Sequence, residues 1–261
     1  MSSVEAAVQR ALDVLASRPA AFVTDIDGTL SRIVPRPQDA AVSDVARSAL
    51  GRLVGRIDLV AVVTGRENDV ARRMVGVEGI TYVGSYALTD GALPDGAGEA
   101  IARAREAIEP YLARLPGVTL EGKDISFALH YRNSPDPWAM RARLLALLEP
   151  IAASADARLL EGKMVVEVAP ISLPDKGTAF AALLRDEGIS GAVFAGDDLA
   201  DTAIFREIRR RRLDGLPGLA IGVVDAETPP AVFETTDEHL HGVDDVEVFV
   251  TALAERLAGG S

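Results

Sequence analysis

The sequence predicts an α/β protein: a parallel sheet with helices on both faces, interrupted by an inserted α+β module. Three observations carry that prediction. Short, continuously apolar runs alternate with helical stretches early in the chain and again late, as in a sheet buried on both faces. A segment rich in Gly, Pro and Asp at 87–97 breaks the alternation. Between the two parallel stretches, shorter runs pair around Glu-Gly dipeptides instead of alternating with long crossovers.

Taken in order, residues 4–16 place Val4, Ala7, Leu12 and Leu15 on one face of a helix. A buried strand follows over 20–24, ending at Asp25, with Gly28 as turn former. A helix over 43–55 opens on a Ser43 cap, and 59–63 is a second buried strand. Helix 66–75 and strand 79–83 complete the first stretch. Past the junction, helix 98–114 leads to strands 117–120 and 125–131 around one Glu-Gly turn. Helix 137–151 leads to strands 157–160 and 164–168 around another. The tetrapeptide LEGK recurs at 120–123 and 160–163, so each half of the insert runs helix, strand, turn, strand. The parallel pattern resumes with helix 175–187, strand 192–195, helix 199–212 and strand 219–223, then 231–234 and helix 244–257. The expected organisation is a discontinuous core, 1–86 with 171–261, and an insert over 87–170.

Composition narrows the function. The 39 Asp and Glu against 27 Lys and Arg leave a net charge of −12, which argues against a nucleic-acid-binding face. An anionic substrate must then be captured by local positive charge, against the field of the whole protein. Hydrophobic residues make up 48% of the chain, enough for a sizeable core. With no cysteine, disulfides, thiolate metal sites and cysteine nucleophiles are excluded. Glu5, Arg10, Asp13 and Arg18 interrupt the opening residues, so no signal peptide is expected there, and no apolar run is long enough to span a membrane. The expectation is a cytoplasmic protein, monomeric or weakly oligomeric, with neither membrane nor nucleic-acid partners.

Four islands fall where strands should end, which is where open α/β sheets place their ligands. The first is Asp25-Ile26-Asp27-Gly28-Thr29. Two carboxylates at this spacing could divide attack and proton transfer, hold a hard cation, or simply form an Asx turn. The second, Thr64-Gly65-Arg66, offers a hydroxyl and amides at a helix start: an anion site or a plain cap. The third, Asp175-Lys176-Gly177, puts a lysine where the helix dipole disfavours it, which points to a compensating anion as readily as to mere exposure. The fourth crowds Asp197, Asp198 and Asp201 at a strand end and first helical turn. Acids there are ordinarily dipole-favourable caps, but their mutual repulsion calls for a cation, and oxygen-only ligands suit Mg²⁺.

In this order, DIDGT, VTGR, DKG and GDDLAD resemble the motifs of the haloacid dehalogenase (HAD) superfamily, with the insert placed as in members carrying a type-2 cap. The finer resemblance is to the trehalose-6-phosphate phosphatase family, through DIDGTLSRI, TGR, HYR at 130–132, GKMVVEVAP at 162–170, DKG and GDDLADT. It covers about residues 20–205. It implies an HAD-like Rossmann-type parallel-sheet core with an inserted cap, and a Mg²⁺-dependent phosphatase acting on a sugar phosphate, most simply trehalose 6-phosphate.

The resemblance also implies roles. Asp25 would be the nucleophile, Asp27 the general acid and base, and Thr64 and Lys176 the phosphoryl-binding groups. Mg²⁺ would lie against Asp25, the Asp27 carbonyl and Asp197, with Asp198 and Asp201 steadying it. Arg66 would support the loop or contact substrate. In the insert, Glu121, Lys123 and Glu167, with Arg132 and Lys163, would contact the sugar; Glu-Gly-Lys is equally ordinary hairpin chemistry. Two departures stand out. The family's GxHG is Gly84-Ser85-Tyr86-Ala87, and Ala200 and Thr202 replace a Thr and a Glu. Both leave the carboxylates intact and raise another glycoside or cyclitol phosphate as substrate; separate alternatives are a phosphomutase and a catalytically silent sugar-phosphate-binding module, the latter opposed by the intact Asp25, Asp27, Lys176 and Asp197.

The remaining features have bland expectations. The basic run 209–212 is expected to be a solvated helix end, and His239 and His241 to lack a metal. His130 is expected to be packed or hydrogen-bonded, and Trp138 to be structural.

Overall fold

Five consecutive apolar or small residues can all be buried only if a strand has partners at both edges and cover on both faces. Residues Ala20–Thr24, strand β1 of the computed structural model, are buried without exception. The structure describes residues 3–84, 96–123 and 125–259. Contacts divide the chain into two compact units, Met1–Ala87 with Pro174–Ser261, and Leu88–Leu173.

In the first unit the elements run α1 (Ser3–Leu15), β1, α2 (Asp44–Leu53), β2 (Leu59–Val63), α3 (Asn68–Val75) and β3 (Thr81–Val83). The second unit holds α4 (Ala97–Leu112), β4 (Thr119–Gly122), β5 (Phe127–His130), α5 (Pro137–Ser154), β6 (Ala157–Gly162) and β7 (Val165–Pro170). The first unit then resumes with α6 (Lys176–Asp186), β8 (Gly191–Gly196), α7 (Thr202–Leu213), β9 (Gly218–Val224), α8 (Pro230–Thr235), β10 (Glu238–His241) and α9 (Gly242–Gly259).

The strands of the first unit form one parallel sheet in the order β10-β9-β8-β1-β2-β3. One apolar layer joins α1, α2, α3 and α9 to the sheet, with Phe22 against Phe249 at 6.2 Å between ring centroids. The other joins α6, α7 and α8 through Phe180, Phe194 and Phe205, at 5.9 and 5.6 Å. Strand order reverses on either side of β1, and that reversal opens the crevice at the carboxyl ends of its neighbours. Register sets Thr24 beside Ala195 of β8 and Val62 of β2, so the next residues of each strand emerge together.

The second unit is an antiparallel sheet, β4-β5-β7-β6. Phe127, Leu129, Val166 and Val168 share one of its faces and pack against Ile101, Ile108, Leu144 and Leu148 of α4 and α5. Because side chains alternate, Glu121, Ala128, Glu167 and Leu160, which are opposite one another in register, share the other face.

Several sequence expectations need correction. The Glu-Gly pairs do not turn: Gly122 pairs with Phe127 and Gly162 with Val165, inside the ladders. In the first hairpin Lys123 N still donates to the Ser126 carbonyl at 3.0 Å, and the second closes through Lys163-Met164, where Met164 adopts a left-handed φ of 62°. The cross-strand ladder outweighs the local turn preference. Strand β10 went unforeseen, because Glu238-His239-Leu240-His241 has only Leu240 buried. Trp138 is 65% exposed and packs no core. The basic run is not simply solvated: the buried Arg211 donates to the carbonyls of Ile189, at 2.6 Å, and Ser190, at 3.2 Å. The expectations for Ser85, Tyr86 and Ala87 lie outside the described residues. Among the described residues, no helix is long and apolar enough to cross a membrane.

Candidate active site

Asp25 is the first residue past β1, and its N–H still donates to Ala195 of β8 at 2.9 Å, so the strand delivers its carboxylate beside β8's end. The chain then folds back tightly: the amides of Leu30 and Ser31 both donate to the Ile26 carbonyl at 2.8 Å. Gly28 makes this loop possible for two reasons. Its φ is +85°, a conformation open to glycine at little cost, and a Cβ there would lie 2.0 Å from Asp197 Oδ2. The two acidic islands therefore meet at a glycine.

Lys176, first residue of α6, is 5% exposed, and its ammonium lies 3.0 Å from Asp25 Oδ1 and 2.7 Å from Asp201 Oδ1. The anions that compensate it at this helix start include two of the protein's own carboxylates. The N-cap of α6 is Asp175, which accepts from Thr178 N at 2.7 Å. Asp201 is wholly buried and organises its neighbours: Oδ2 accepts from the amides of Asp197 and Asp198, at 3.0 and 3.1 Å, while Oδ1 holds Lys176. Asp198 caps the short 3-10 turn Leu199–Asp201.

Asp25, Asp197 and Asp201 are all buried, and one carboxylate oxygen from each lies within 4.8 Å of the others. Burial pushes the Asp25 carboxyl up to about 7, with Lys176 opposing the shift and Asp201 and Asp27 adding to it. Three buried acids facing one buried ammonium, in an all-oxygen donor set, are a fit for a hard divalent cation such as Mg²⁺. Since Asp201 commits both oxygens to Lys176 and two amides, Asp25 and Asp197 are the ligands best placed for it. Among the described residues, the carboxylates of Asp27 and Asp198 stand outside this cluster.

Asp27 meets Arg66 instead. The guanidinium donates through Nε to Oδ2 at 2.5 Å and through Nη2 to Oδ1 at 2.7 Å, and it is anchored to the Pro37 carbonyl at 3.1 Å. This two-point fork fixes the plane of the carboxylate. Thr64 is buried at the end of β2, with its amide on the Val83 carbonyl and its hydroxyl accepting from Arg66 N at 3.2 Å. It does not open a helix, whether as cap or as anion site: α3 starts at Asn68, after Glu67, and the Thr64 hydroxyl stands instead in a local turn. Gly84 is pinned by Asn68 Oδ1 at 2.7 Å, and a Cβ there would meet the Arg66 carbonyl at 2.4 Å.

In the second unit, Lys123 Nζ donates to Glu167 Oε2 at 3.0 Å, and Glu121 Oε2 pairs with His130 Nε2 at 2.6 Å. Arg132 follows β5 and Lys163 lies in the β6–β7 loop; the Tyr131 amide on the Met164 carbonyl, at 3.0 Å, ties those two segments together. Three features escaped sequence reasoning: the Arg66–Asp27 fork, the Asp201 hub and the bond from Ser126 to Glu167. The fork, the Lys176 arm of the hub and the Ser126 bond join residues 25 to 41 apart and leave no local signal, whereas the amide arm of the hub is a local capping box that the Asp198–Asp201 spacing could have announced.

Against known proteins, the family model described as trehalose-phosphatase matches residues 23–231. A trehalose-phosphate phosphatase of Mycobacterium avium (strain 104) is 32% identical over 266 residues, covering 95% of this chain and 65% of its own length. The chain thus spans a little under two thirds of that relative. The trehalose-6-phosphate phosphatase of Escherichia coli (strain K12) is 32% identical over 256 residues, covering 90% of this chain and 88% of the relative. Among solved structures, the C-terminal domain of C. albicans trehalose-6-phosphate phosphatase superposes with a TM-score of 0.77 at 20% identity, over 95% of this chain and 96% of that one. At that identity the likeness concerns the fold.

Proposed function

The chain belongs to the trehalose-phosphatase family, with an HAD-like core, and from that premise we propose that it hydrolyses trehalose 6-phosphate to trehalose and phosphate, with Mg²⁺, through a phosphorylated Asp25. The observation that carries the chemistry is the buried cluster of Asp25, Lys176, Asp197 and Asp201 at the ends of β1 and β8.

Asp25 attacks phosphorus, forming the Asp25 O–P bond as the bond from phosphorus to the sugar oxygen breaks. Asp27 gives its proton to the departing oxygen. A water then attacks the aspartyl-phosphate, Asp27 takes its proton, and phosphate leaves with Asp25 restored. Attack requires Asp25 ionised although burial disfavours the charge, and Lys176 at 3.0 Å supplies compensation. Lys176 and the Thr64 hydroxyl are placed to meet phosphoryl oxygens and stabilise charge in the transition state. The Arg66 fork holds Asp27 as the carboxylate that takes the proton of the water, and to protonate the departing oxygen Asp27 must give up one arm of the fork to carry the proton. Mg²⁺, held by Asp25, Asp197 and the Asp27 carbonyl, would neutralise phosphoryl charge when bound.

Sugar recognition belongs, in this reading, to the second unit as the specificity domain. Glu121, Lys123 and Glu167 are the hydroxyl-binding groups, with Arg132 and Lys163 as further contacts. The departures at Tyr86 and Ala87 of the 84–87 stretch and at Ala200 and Thr202 favour, as the second reading, a different glycoside or cyclitol phosphate.

Phosphate release from a panel of phosphorylated sugars, with Mg²⁺, tests both readings. Release from trehalose 6-phosphate, abolished in Asp25→Asn, is expected. Release from another sugar keeps the chemistry and moves the substrate. No release from any, with the protein folded, overturns the enzyme reading in favour of a sugar-phosphate-binding module.

A further inference from the structure

Glu167 is a carboxylate buried to 6% exposure on the sheet face opposite the apolar core, a costly place for a charge unless it is both neutralised and aimed. Lys123 neutralises it. The ammonium is a rotatable donor on a flexible four-carbon stem, however, and donation to one oxygen does not set the plane of the carboxylate. Ser126 does. It is 4% exposed and lies just before β5, two residues ahead of Ala128, the register partner of Glu167, so it shares the face and stands diagonally across from it. Its hydroxyl donates to Glu167 Oε1 at 2.6 Å, while Lys123 holds Oε2 at 3.0 Å.

We propose that Ser126 is a positioning residue for substrate specificity: its bond to Oε1, with the Lys123 bond to Oε2, locks Glu167 in the orientation that accepts hydroxyl hydrogens of the sugar. The two bonds fall one on each oxygen, so together they fix the plane of the carboxylate as a single donor cannot. A short side chain on an adjacent strand is suited to this work, because a hydroxyl one bond from the backbone has little freedom to lose. The inference rests on the proposed reading of Glu167 as a sugar contact and adds the group that makes that contact directional.

The test compares wild type, Ser126→Ala and Ser126→Thr on trehalose 6-phosphate and on p-nitrophenyl phosphate, whose leaving group offers no sugar hydroxyl. Ser126→Ala is expected to raise KM for the sugar phosphate about tenfold, with kcat changed much less, and to lower kcat/KM for the sugar phosphate about tenfold more than for the aryl phosphate. Ser126→Thr, which keeps the hydroxyl, is expected to restore most of the loss. Equal losses on both substrates, or a Ser126→Ala protein indistinguishable from wild type on both, overturn the proposal while leaving the phosphatase reading standing. Failure of Ser126→Thr to rescue an otherwise folded protein overturns it as well. A wild type that prefers another phosphorylated sugar overturns trehalose 6-phosphate as substrate, and the same KM comparison on that sugar then decides the role of Ser126. A wild type that cleaves the aryl phosphate and no sugar phosphate overturns both.

Discussion

At Asp25, burial and charge pull in opposite directions. Desolvation pushes its carboxyl up to about 7 from an ordinary 3.8, so within that window the folded protein holds a proton that the unfolded chain has released. The associated stability is fully present below the unfolded value and is lost as pH rises through the folded one. Metal-free protein is therefore expected to melt at a lower temperature near pH 8 than near pH 5, and Asp25→Asn to flatten that part of the profile. Thermal scans across pH, in chelator, check it; an unchanged slope in the variant would assign the titration elsewhere. The same substitution removes the proposed nucleophile and is expected to lower phosphate release by roughly a thousandfold or more, read by phosphate assay on folded protein. Gly28 is the second sensitive residue. Gly28→Ala forces a Cβ into the Asp197 carboxylate at a φ of +85°, so a stability loss of about 1–3 kcal/mol by urea unfolding and a loss of activity are expected together. Loss of only one of the two would separate the glycine's backbone role from its closeness to Asp197.

Elements present the groups that residues supply. Helix α6 carries Lys176 at its first position, and Asp175 caps that turn through Thr178 N. Asp175→Ala is expected to cost about 1 kcal/mol and to lower phosphate release by fraying the turn that holds the ammonium; urea unfolding and the assay at saturating Mg²⁺ measure the two effects. The hairpins of the second unit show the opposite relation, where an element overrides its own sequence. Glu121-Gly122 and Glu161-Gly162 look like turns, yet the ladders run on through both glycines. As a result Glu121 stands within β4, in register with Ala128 and on the same face as Glu167, instead of at a hairpin tip. Helix α3 also begins later than its periodicity suggests, which removes Thr64 from a helix terminus and leaves its hydroxyl accepting from the Arg66 amide in a turn.

For the whole molecule, a net charge of −12 makes local compensation decisive, and the buried acids at the ends of β1 and β8 concentrate the need. Chelation is expected to abolish phosphate release and Mg²⁺ to restore it. Mg²⁺ is also expected to raise the melting temperature of wild type but not of Asp197→Asn. A variant stabilised as much as wild type would place the ion elsewhere. Much of this was legible in sequence. Apolar runs at 20–24, 59–63 and 192–195 announced buried parallel strands, and Asp25, Asp197 and Asp201 beyond them, with Lys176, are the groups that the structure gathers in one buried cluster. Such signals are local: periodicity and side-chain type are properties of neighbouring residues, and they determined the parallel core and the chemical groups at the strand ends. Only the tertiary structure decided which groups meet. Lys176 and Asp201 lie 25 residues apart in the chain, Arg66 and Asp27 39, and Ser126 and Glu167 41. Each pair depends on strand order and register, which many distant apolar contacts set jointly, and no short stretch of sequence encodes them.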